Sequence, residues 1–337
     1  MSDHVSAWAW LREGHLPELL SVLGCLYLAN LFLHAKLFPH RNPHVRPKAQ
    51  NVLLTACRLL FSVPANVVIA VWLTMWIIFW ELVRRPLWKP SQKQRISDDV
   101  ASVAMCGGGF RTWYHLGVYW GLYDKLGVEG LRNVKFSGAS IGALVAAVAA
   151  CHLHPADIWA HIPAIAEAYR NDLLGHLTSV GQFCRYLLHT TLPADAHERV
   201  NGNLWISISS MFPIPHNYLQ TSFKSRDDLI NAIIAAQYIP SWTHPGVCFH
   251  KGMICLDGGV TNNLPALCST SLKIGLDLDD IESWGADLVP SEPLARINTF
   301  IPADELNLQK MLLRGKSDVN KWLKSKRGVE FVKRALK

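Results

Sequence analysis

Three short glycine-containing motifs, spaced along one stretch, constrain this chain more than any other feature of its sequence. They are Gly107-Gly108-Gly109, Gly138-Ala139-Ser140-Ile141-Gly142 and Asp257-Gly258-Gly259. Each follows a short apolar run of the kind that forms a buried strand. The sequence therefore predicts three tight turns that carry backbone amides, a serine hydroxyl and a carboxylate. Oxyanion donors, a nucleophile and a base are the groups that an acyl-transfer site needs.

The serine motif predicts a nucleophile on a sharp turn between a strand and a helix. Strand-like residues 134–136 precede it, and the apolar run 143–148 follows it. Such a turn exposes Ser140 and requires small neighbours, which Gly138 and Gly142 supply. The N–H groups at the start of the helix favour negative charge beside the serine. The alternative interpretation is a packing turn of small residues without chemistry.

Asp257 is the expected base for Ser140. In an α/β-hydrolase triad the chain order is serine, acid, histidine, and the last histidine here is His250. A triad in that order cannot include Asp257, so a serine–aspartate dyad is favoured. The two glycines that follow let the backbone turn close to a neighbouring element. The alternatives are a triad of Asp227 with His244 or His250, and an Asx turn at Asp257.

The glycine run has two functional interpretations. A dinucleotide-binding loop needs glycine at position 112, where Thr112 stands, and an acidic residue about 20 residues further on, which is not evident. The favoured interpretation is an oxyanion hole, in which the N–H groups of Gly107, Gly108 and Gly109 face the reacting oxygen. Arg111 is expected to steady this loop or to add positive charge. A tight turn without chemistry is the remaining alternative.

Taken together, these motifs resemble a patatin-like phospholipase domain, whose pattern is a glycine-rich loop, Gly-x-Ser-x-Gly, and Asp-Gly-Gly or Asp-Gly-Ala in this order. Four segments resemble the adipose triglyceride lipase and adiponutrin branch: Gly109 to Val118, Ser140 to Val145, Gln237 to Pro240 and Asp257 to Pro265. The resemblance covers about residues 99–275. It implies an α/β fold of the three-layer sandwich type.

The resemblance also implies a role for each motif. Ser140 is then the nucleophile, Asp257 its base and the glycine loop the oxyanion hole, without a histidine and without a cofactor. Gly258 and Asn263 follow the base, and Asn263 is expected to orient the loop that carries it. Many family members have glycine where Thr112 stands. The resemblance therefore does not fix the exact conformation of the glycine loop in this chain.

Alternating patterns along the chain predict an α/β sheet covered on both faces by helices. Strands are expected at 101–105, 134–137, 203–209, 217–222 and 252–256, and helices at 114–126, 141–153, through much of 156–190 and at 226–236. His152 and Asp157 show the His-x4-Asp spacing of glycerolipid acyltransferases, but a helix cap at His152 is the favoured interpretation.

The excess of apolar residues lies near the N-terminus, in residues 1–98, which we interpret as a helical membrane-associating region. Leu19 to Leu33 is largely apolar, and Leu59 to Trp80 holds 22 residues without a charge, long enough to span a bilayer. Basic residues flank the second segment on both sides, which favours a hairpin in one leaflet over two spanning helices. We expect membrane or lipid-droplet attachment, at the endoplasmic reticulum or droplet surface, with residues 99–275 as a catalytic domain that faces the cytosol.

Residues 276–337 form the third predicted region, which is basic and amphipathic. Leu306 to Leu336 mixes lysines and arginines with apolar side chains and predicts one or two amphipathic helices. These helices are expected either to lie on an anionic lipid surface or to cover the catalytic domain. The net charge of +7 does not indicate a nucleic-acid partner, because much of it flanks apolar segments. The expected partners are a lipid substrate, a membrane or droplet surface and, as a further candidate, a protein co-activator.

Overall fold

The structure, a computed structural model, describes residues 95–171, 180–211, 215–240, 242–243 and 247–337. The predicted apolar segments Leu19 to Leu33 and Leu59 to Trp80 lie outside these residues. Within the described part of the chain, no helix is both long and apolar enough to cross a membrane.

The described residues build one mixed sheet of seven strands. The strands are β1 (Ser102–Met105), β2 (Lys135–Ala139), β3 (Leu204–Ser210), β4 (His216–Gln220), β5 (Cys248–His250), β6 (Met253–Leu256) and β7 (Leu272–Ile274). Their order is β5-β6-β3-β2-β1-β7, and β4 also pairs with β3. Strands β7, β1, β2 and β3 are parallel, whereas β4 and β6 run antiparallel to β3, and β5 runs antiparallel to β6.

Helices flank this sheet. In the described residues they are α1 (Trp113–Leu131), α2 (Ile141–Ala150), α3 (Pro155–Trp159), α4 (Ile162–Asn171), α5 (Val180–Thr191), α6 (Ala196–Val200), α7 (Arg226–Ala236), α8 (Gly259–Asn262), α9 (Asp279–Trp284), α10 (Glu305–Trp322) and α11 (Lys326–Ala335). Two 3₁₀ helices span Gly109–Thr112 and Arg296–Thr299. The predicted α/β fold class is confirmed.

Helix α2 forms the centre of the core. It contacts β1, β2 and β3 of the sheet, and helices α1 and α7 pack against it. All of its residues are buried, which explains why the run after the serine motif is apolar around its whole circumference. The first turn of this helix therefore begins inside the core, at the end of β2.

The two C-terminal helices pack on the rest of the fold. Helix α10 lies against α1 at close range, since a Cβ atom on Gly315 would lie 2.1 Å from the Tyr114 carbonyl oxygen. A Cβ atom on Gly117 would lie 1.9 Å from the Leu312 carbonyl oxygen in the same way. The predicted amphipathic helices are confirmed, and their buried side chains cover the α/β fold, which is the second of the two arrangements expected for them.

A tight hairpin joins β5 to β6. His250 pairs with Met253, so that only Lys251 and Gly252 form the turn. Both have positive φ angles, 49° and 77°, as a two-residue type I′ turn requires. The turn length therefore fixes which residue of β6 lies opposite each residue of β5.

Most predicted elements are present, with shifted ends. Helix α1 is kinked at Gly127, whose φ and ψ angles of 62° and 179° are not helical, so its first segment ends near residue 126 as predicted and a short second segment runs to Leu131. Helix α2 ends at Ala150, and His152 follows it with a φ of 55°, as expected for a residue that terminates a helix. Strands β5 and β7 were not predicted, because three residues are too few to show a periodic pattern.

Replacing Gly315 by valine should lower the free energy of unfolding by about 2 kcal/mol, because the new side chain would push α10 away from α1. Ser317→Val is the matched control, since Ser317 is exposed on the same helix. Urea unfolding followed by circular dichroism measures both variants. Equal unfolding midpoints for the two variants would show that this helix contact adds nothing to stability.

Candidate active site

Strand β3 brings the ends of β2 and β6 together. Strand β4 pairs with β3 along Ile206 to Ser210, so β2 and β6 must share the other edge of β3. There, Ala139 of β2 lies opposite Ser207, and Leu256 of β6 lies opposite Ser209. Because β2 and β6 run in opposite directions, the residues that follow them meet beside the same point of β3. Those residues are Ser140 and Asp257.

Ser140 lies at the start of α2 in a strained backbone conformation. Its φ and ψ angles are 52° and −135°, a region that residues with side chains rarely occupy. The turn is also crowded: a Cβ atom on Gly138 would lie 2.4 Å from the Gly142 carbonyl oxygen, and one on Gly142 would lie 2.4 Å from the Cys106 carbonyl oxygen. Both positions therefore require glycine, as the sequence motif predicted.

The glycine loop lies directly against Ser140. A Cβ atom on Gly107 would lie 2.6 Å from the Ser140 Cβ atom. The Gly107 N–H donates a hydrogen bond of 3.0 Å to Asn263 Oδ1, whereas the N–H groups of Gly108 and Gly109 donate none within the described residues. Gly107 therefore has a positioning contact, and the oxyanion role expected for the three glycines stays a prediction. Asn263 links the glycine loop to the segment after Asp257.

Two contacts brace the other end of this loop. Gly109 has a φ of 57° and packs so closely that a Cβ atom would lie 1.8 Å from the Thr299 carbonyl oxygen. The guanidinium of Arg111 is paired with Asp277, because its Nη1 atom donates to both carboxylate oxygens, each at 2.9 Å. Arg111 was expected either to steady the loop or to add positive charge. Its pairing with Asp277 fits the first of these roles. Thr112 is buried and is the residue that directly precedes α1.

Asp257 is buried, and burial raises its pKa from the ordinary value of 3.8 to about 6. Hydrogen bonding from the Ser140 hydroxyl and from the Gly259 N–H, 2.8 Å from Oδ1, partly offsets this rise in pKa. Apart from the Ser140 hydroxyl, the buried Oδ2 atom of Asp257 has no hydrogen-bond partner in the described residues, so this oxygen is available to accept the serine proton.

The backbone around Asp257 is held from three sides. Its N–H donates to the Tyr238 carbonyl oxygen at 2.8 Å, and its own carbonyl oxygen accepts from Ser209 Oγ at 2.7 Å. A Cβ atom on Gly258 would lie 2.0 Å from the Ser207 carbonyl oxygen, so this close approach to β3 requires glycine. The carboxylate is therefore fixed by main-chain contacts with the sheet.

Of the described histidines, neither His250 nor His115 is hydrogen-bonded to Ser140. His250 lies on β5, where its Nε2 atom is 2.7 Å from Gln220 Oε1. His115 is buried behind the glycine loop, with Nε2 3.0 Å from the Cys106 carbonyl oxygen. His244, the other histidine considered in the sequence, lies outside the described residues.

An apolar cavity opens beside Ser140. Its walls come from the glycine loop, from helices α1, α2, α4 and α5, and from the segment that holds Gln237 and Trp242, and they are mostly apolar. Side chains that line it include those of Phe110, Trp113, Leu144, Ile165, Phe183 and Trp242. An apolar pocket that begins at a serine suits a flexible apolar group attached to the atom under attack.

Part of the chain is similar to known proteins. Residues 103–216, which include the glycine loop and Ser140, match the family model described as patatin-like phospholipase. The chain contains a patatin-like phospholipase domain.

Three relatives of this patatin-like chain illustrate the range of the family. It is 34% identical to human patatin-like phospholipase domain-containing protein 4, over 49% of this chain and 66% of the relative. It is 31% identical to mouse patatin-like phospholipase domain-containing protein 2, over 49% of this chain and 34% of the relative. It is 26% identical to human omega-hydroxyceramide transacylase, over 50% of this chain and 32% of the relative. The chain thus spans between 32% and 66% of the length of these relatives, which is less than two thirds of each.

The patatin-like site includes contacts that the sequence did not indicate. Ser209, Tyr238 and Thr299 hold the site through long-range contacts, and no local pattern marks them. The cavity was not foreseen either, because its walls come from separate parts of the fold. One signal was present in retrospect: serines at 207, 209 and 210 are unusual in a buried strand.

Replacing Asp257 by asparagine should stabilise the protein, and more so at pH 8 than at pH 5. The pKa of Asp257 is higher in the folded chain than in the unfolded chain, so ionisation costs stability as the pH rises from about 4 to about 6. With a folded pKa of about 6, the full cost above that pH is about 3 kcal/mol. Melting temperatures of both proteins at pH 5 and pH 8 measure the effect.

The exposed carboxylate variant Asp99→Asn serves as the control for this comparison, and its melting temperature should change little at either pH. If Asp257→Asn raised the melting temperature equally at pH 5 and pH 8, the stabilisation would not come from removing a buried charge.

Proposed function

We propose that this chain is a lipid acyl hydrolase, which cleaves glycerolipid esters through an acyl-enzyme on Ser140. The observation that carries the proposal is the meeting of Ser140, in a strained turn, with the buried carboxylate of Asp257 at the end of an apolar cavity. The apolar lining of the cavity suits an acyl chain. The triacylglycerol and phospholipid classes both carry such chains on a glycerol backbone.

In the proposed first step, Ser140 Oγ attacks the ester carbonyl carbon while Asp257 accepts the hydroxyl proton. The N–H groups of Gly108 and Gly109 are available to stabilise the oxyanion that forms, and Gly107 positions the loop through Asn263. Collapse of the tetrahedral intermediate breaks the ester bond, and Asp257 returns its proton to the departing alcohol. The acyl chain then remains on Ser140.

In the second step, water attacks the acyl-enzyme, with Asp257 as the base that takes a proton from the water. The products are a fatty acid and free Ser140. A lipid alcohol in place of water would give transacylation by the same steps. One relative of this chain carries the name of a transacylase, and transacylation is therefore the second candidate function.

The location of the proposed reaction follows from the sequence. The apolar segments within residues 1–98 support attachment to the endoplasmic reticulum or to a lipid droplet, with the catalytic residues on the cytosolic side. A membrane-attached enzyme would receive its lipid substrate from the surface that holds it. A protein co-activator remains a candidate partner.

Ser140→Ala and Asp257→Asn should each reduce fatty-acid release by at least about a thousandfold, because each removes a group required for acyl-enzyme formation. The assay uses purified protein on triacylglycerol and phosphatidylcholine emulsions, with Ser222→Ala as an exposed serine control. Parallel reactions contain added monoacylglycerol, and labelled acyl products are separated. Acyl transfer to monoacylglycerol in excess of hydrolysis would establish the transacylase alternative. If wild type and Ser140→Ala released fatty acid at the same rate, a non-catalytic lipid-binding role would be left.

The kcat/KM of the wild type should fall about tenfold per pH unit below pH 6, because Asp257 accepts a proton only when it is ionised. The expected midpoint of this acid limb is the raised pKa of Asp257, about 6. A soluble short-chain ester is the appropriate substrate, since its own physical state does not change with pH. Activity that remained constant down to pH 4 would show that Asp257 is not the base.

A further inference from the structure

A row of aromatic rings leads from the cavity to the protein surface. Phe110 and Trp242 both line the cavity, and their ring centroids are 6.2 Å apart. The Trp242 ring packs in turn on Phe300, with 5.4 Å between centroids. Phe300 is 52% exposed. The apolar lining of the cavity therefore continues, without a polar break along this row, to an exposed side chain.

Phe300 belongs to a group of exposed apolar side chains, which we call the rim surface: Leu278, Ile281, Ile297 and Phe300. These four side chains are between 46% and 65% exposed. Leu278 and Ile281 are three residues apart around the start of α9, and Ile297 and Phe300 are three apart around the end of the second 3₁₀ helix. The ion pair of Asp279 with Arg296, at 3.1 Å, joins the two segments. The rim surface is thus made of two neighbouring turns, each with two exposed apolar side chains.

The same two segments hold the glycine loop. Gly109 packs on the Thr299 carbonyl oxygen, and Gly108 packs on the Leu276 side chain. Arg111 pairs with Asp277, the residue before Leu278. The rim surface therefore lies beside the loop that the proposed reaction uses, on the segments that brace it.

We propose that the rim surface is a docking surface for a lipid aggregate with neutral or zwitterionic headgroups, and that it places the mouth of the cavity against that aggregate. This inference rests on the proposed lipid ester chemistry for its kinetic test. An exposed apolar patch of this kind marks an interaction site. Because the aromatic row connects the patch to the cavity, an acyl chain could leave the aggregate and enter the cavity without crossing water.

The charges around the patch support this choice of lipid. Arg296 is paired with Asp279, and Arg111 of the adjoining glycine loop is paired with Asp277, so both cations are neutralised. Asp280 and Glu282 add further negative charge on α9. An anionic lipid surface would be repelled here, whereas a phosphatidylcholine-coated surface would not. A seated protein partner would cover the mouth of the cavity and block the entry of a lipid.

The test compares two substrates with the full chain. The double variant Leu278→Ser/Ile297→Ser removes exposed apolar groups that do not line the cavity. In this variant, hydrolysis of a trioleoylglycerol emulsion coated with phosphatidylcholine should fall by at least about tenfold. Hydrolysis of monomeric p-nitrophenyl butyrate should stay within about twofold of wild type, because only the emulsion is bound through apolar contact. Ile297→Trp, which keeps an apolar side chain, should retain the emulsion rate.

Phe249→Ser and Leu313→Ser are the matched controls, since both side chains are similarly exposed away from the rim surface. Neither control should change the ratio of the two rates. An unchanged ratio in the double variant would overturn the proposal, as would an equal fall of both rates. If the rim surface instead packed against residues 1–94 of this chain, the double variant would keep the ratio and have a lower melting temperature.

A second measurement separates this proposal from the proposed function. Co-flotation with phosphatidylcholine-coated droplets is measured for Ser140→Ala alone and for Ser140→Ala combined with the two rim substitutions. If less of the combined variant than of Ser140→Ala floats with the droplets, the docking surface is supported, even where the wild type hydrolyses neither ester. If equal amounts of the two variants float, the docking proposal is overturned.

Discussion

The pairing of β3 with two strands on one edge is the constraint on which the rest of the site depends. Strand β2 is parallel to β3 and strand β6 is antiparallel to it, so the two approach each other end to end. A serine that follows one and a carboxylate that follows the other must then meet. Without the antiparallel β6, the carboxylate could not reach this position from a neighbouring strand. The mixed sheet is therefore what makes a two-residue arrangement feasible in this fold.

The site is held at a cost in stability. Ser140 occupies a strained backbone conformation, and Asp257 is a buried carboxylate without a fixed cation beside it. The rest of the site offsets these costs with close packing, since glycines at 138, 142 and 258 let main-chain atoms approach within a distance that any Cβ atom would prevent. Such packing keeps the serine and the carboxylate in place before a substrate arrives.

Local steric demands explain what the sequence could predict. A serine in a strained turn needs small neighbours, and a carboxylate that turns close to a strand needs glycine after it, so both requirements appear as short motifs. The bond from Gly107 to Asn263 and the packing of Gly109 on Thr299 join residues far apart in the chain, and no local pattern encodes them. The C-terminal helices show the same limit: their amphipathic pattern predicted an apolar face, but only the contact of Gly315 with Tyr114 shows what covers it.

The hairpin between β5 and β6 has a consequence for how this sequence can change. Its turn contains only Lys251 and Gly252, and four strand residues, Met253 to Leu256, separate that turn from Asp257. An insertion of one residue in β6 would shift the strand by one position against β3 and direct the carboxylate to the opposite face of the sheet. An insertion in the turn would remove the two-residue geometry that pairs β5 with β6. Length variation in this hairpin is therefore unfavourable at both places, although the turn itself lies outside the cavity. Among homologous chains that keep the serine and the carboxylate, we expect insertions and deletions to accumulate in other loops and to spare this one.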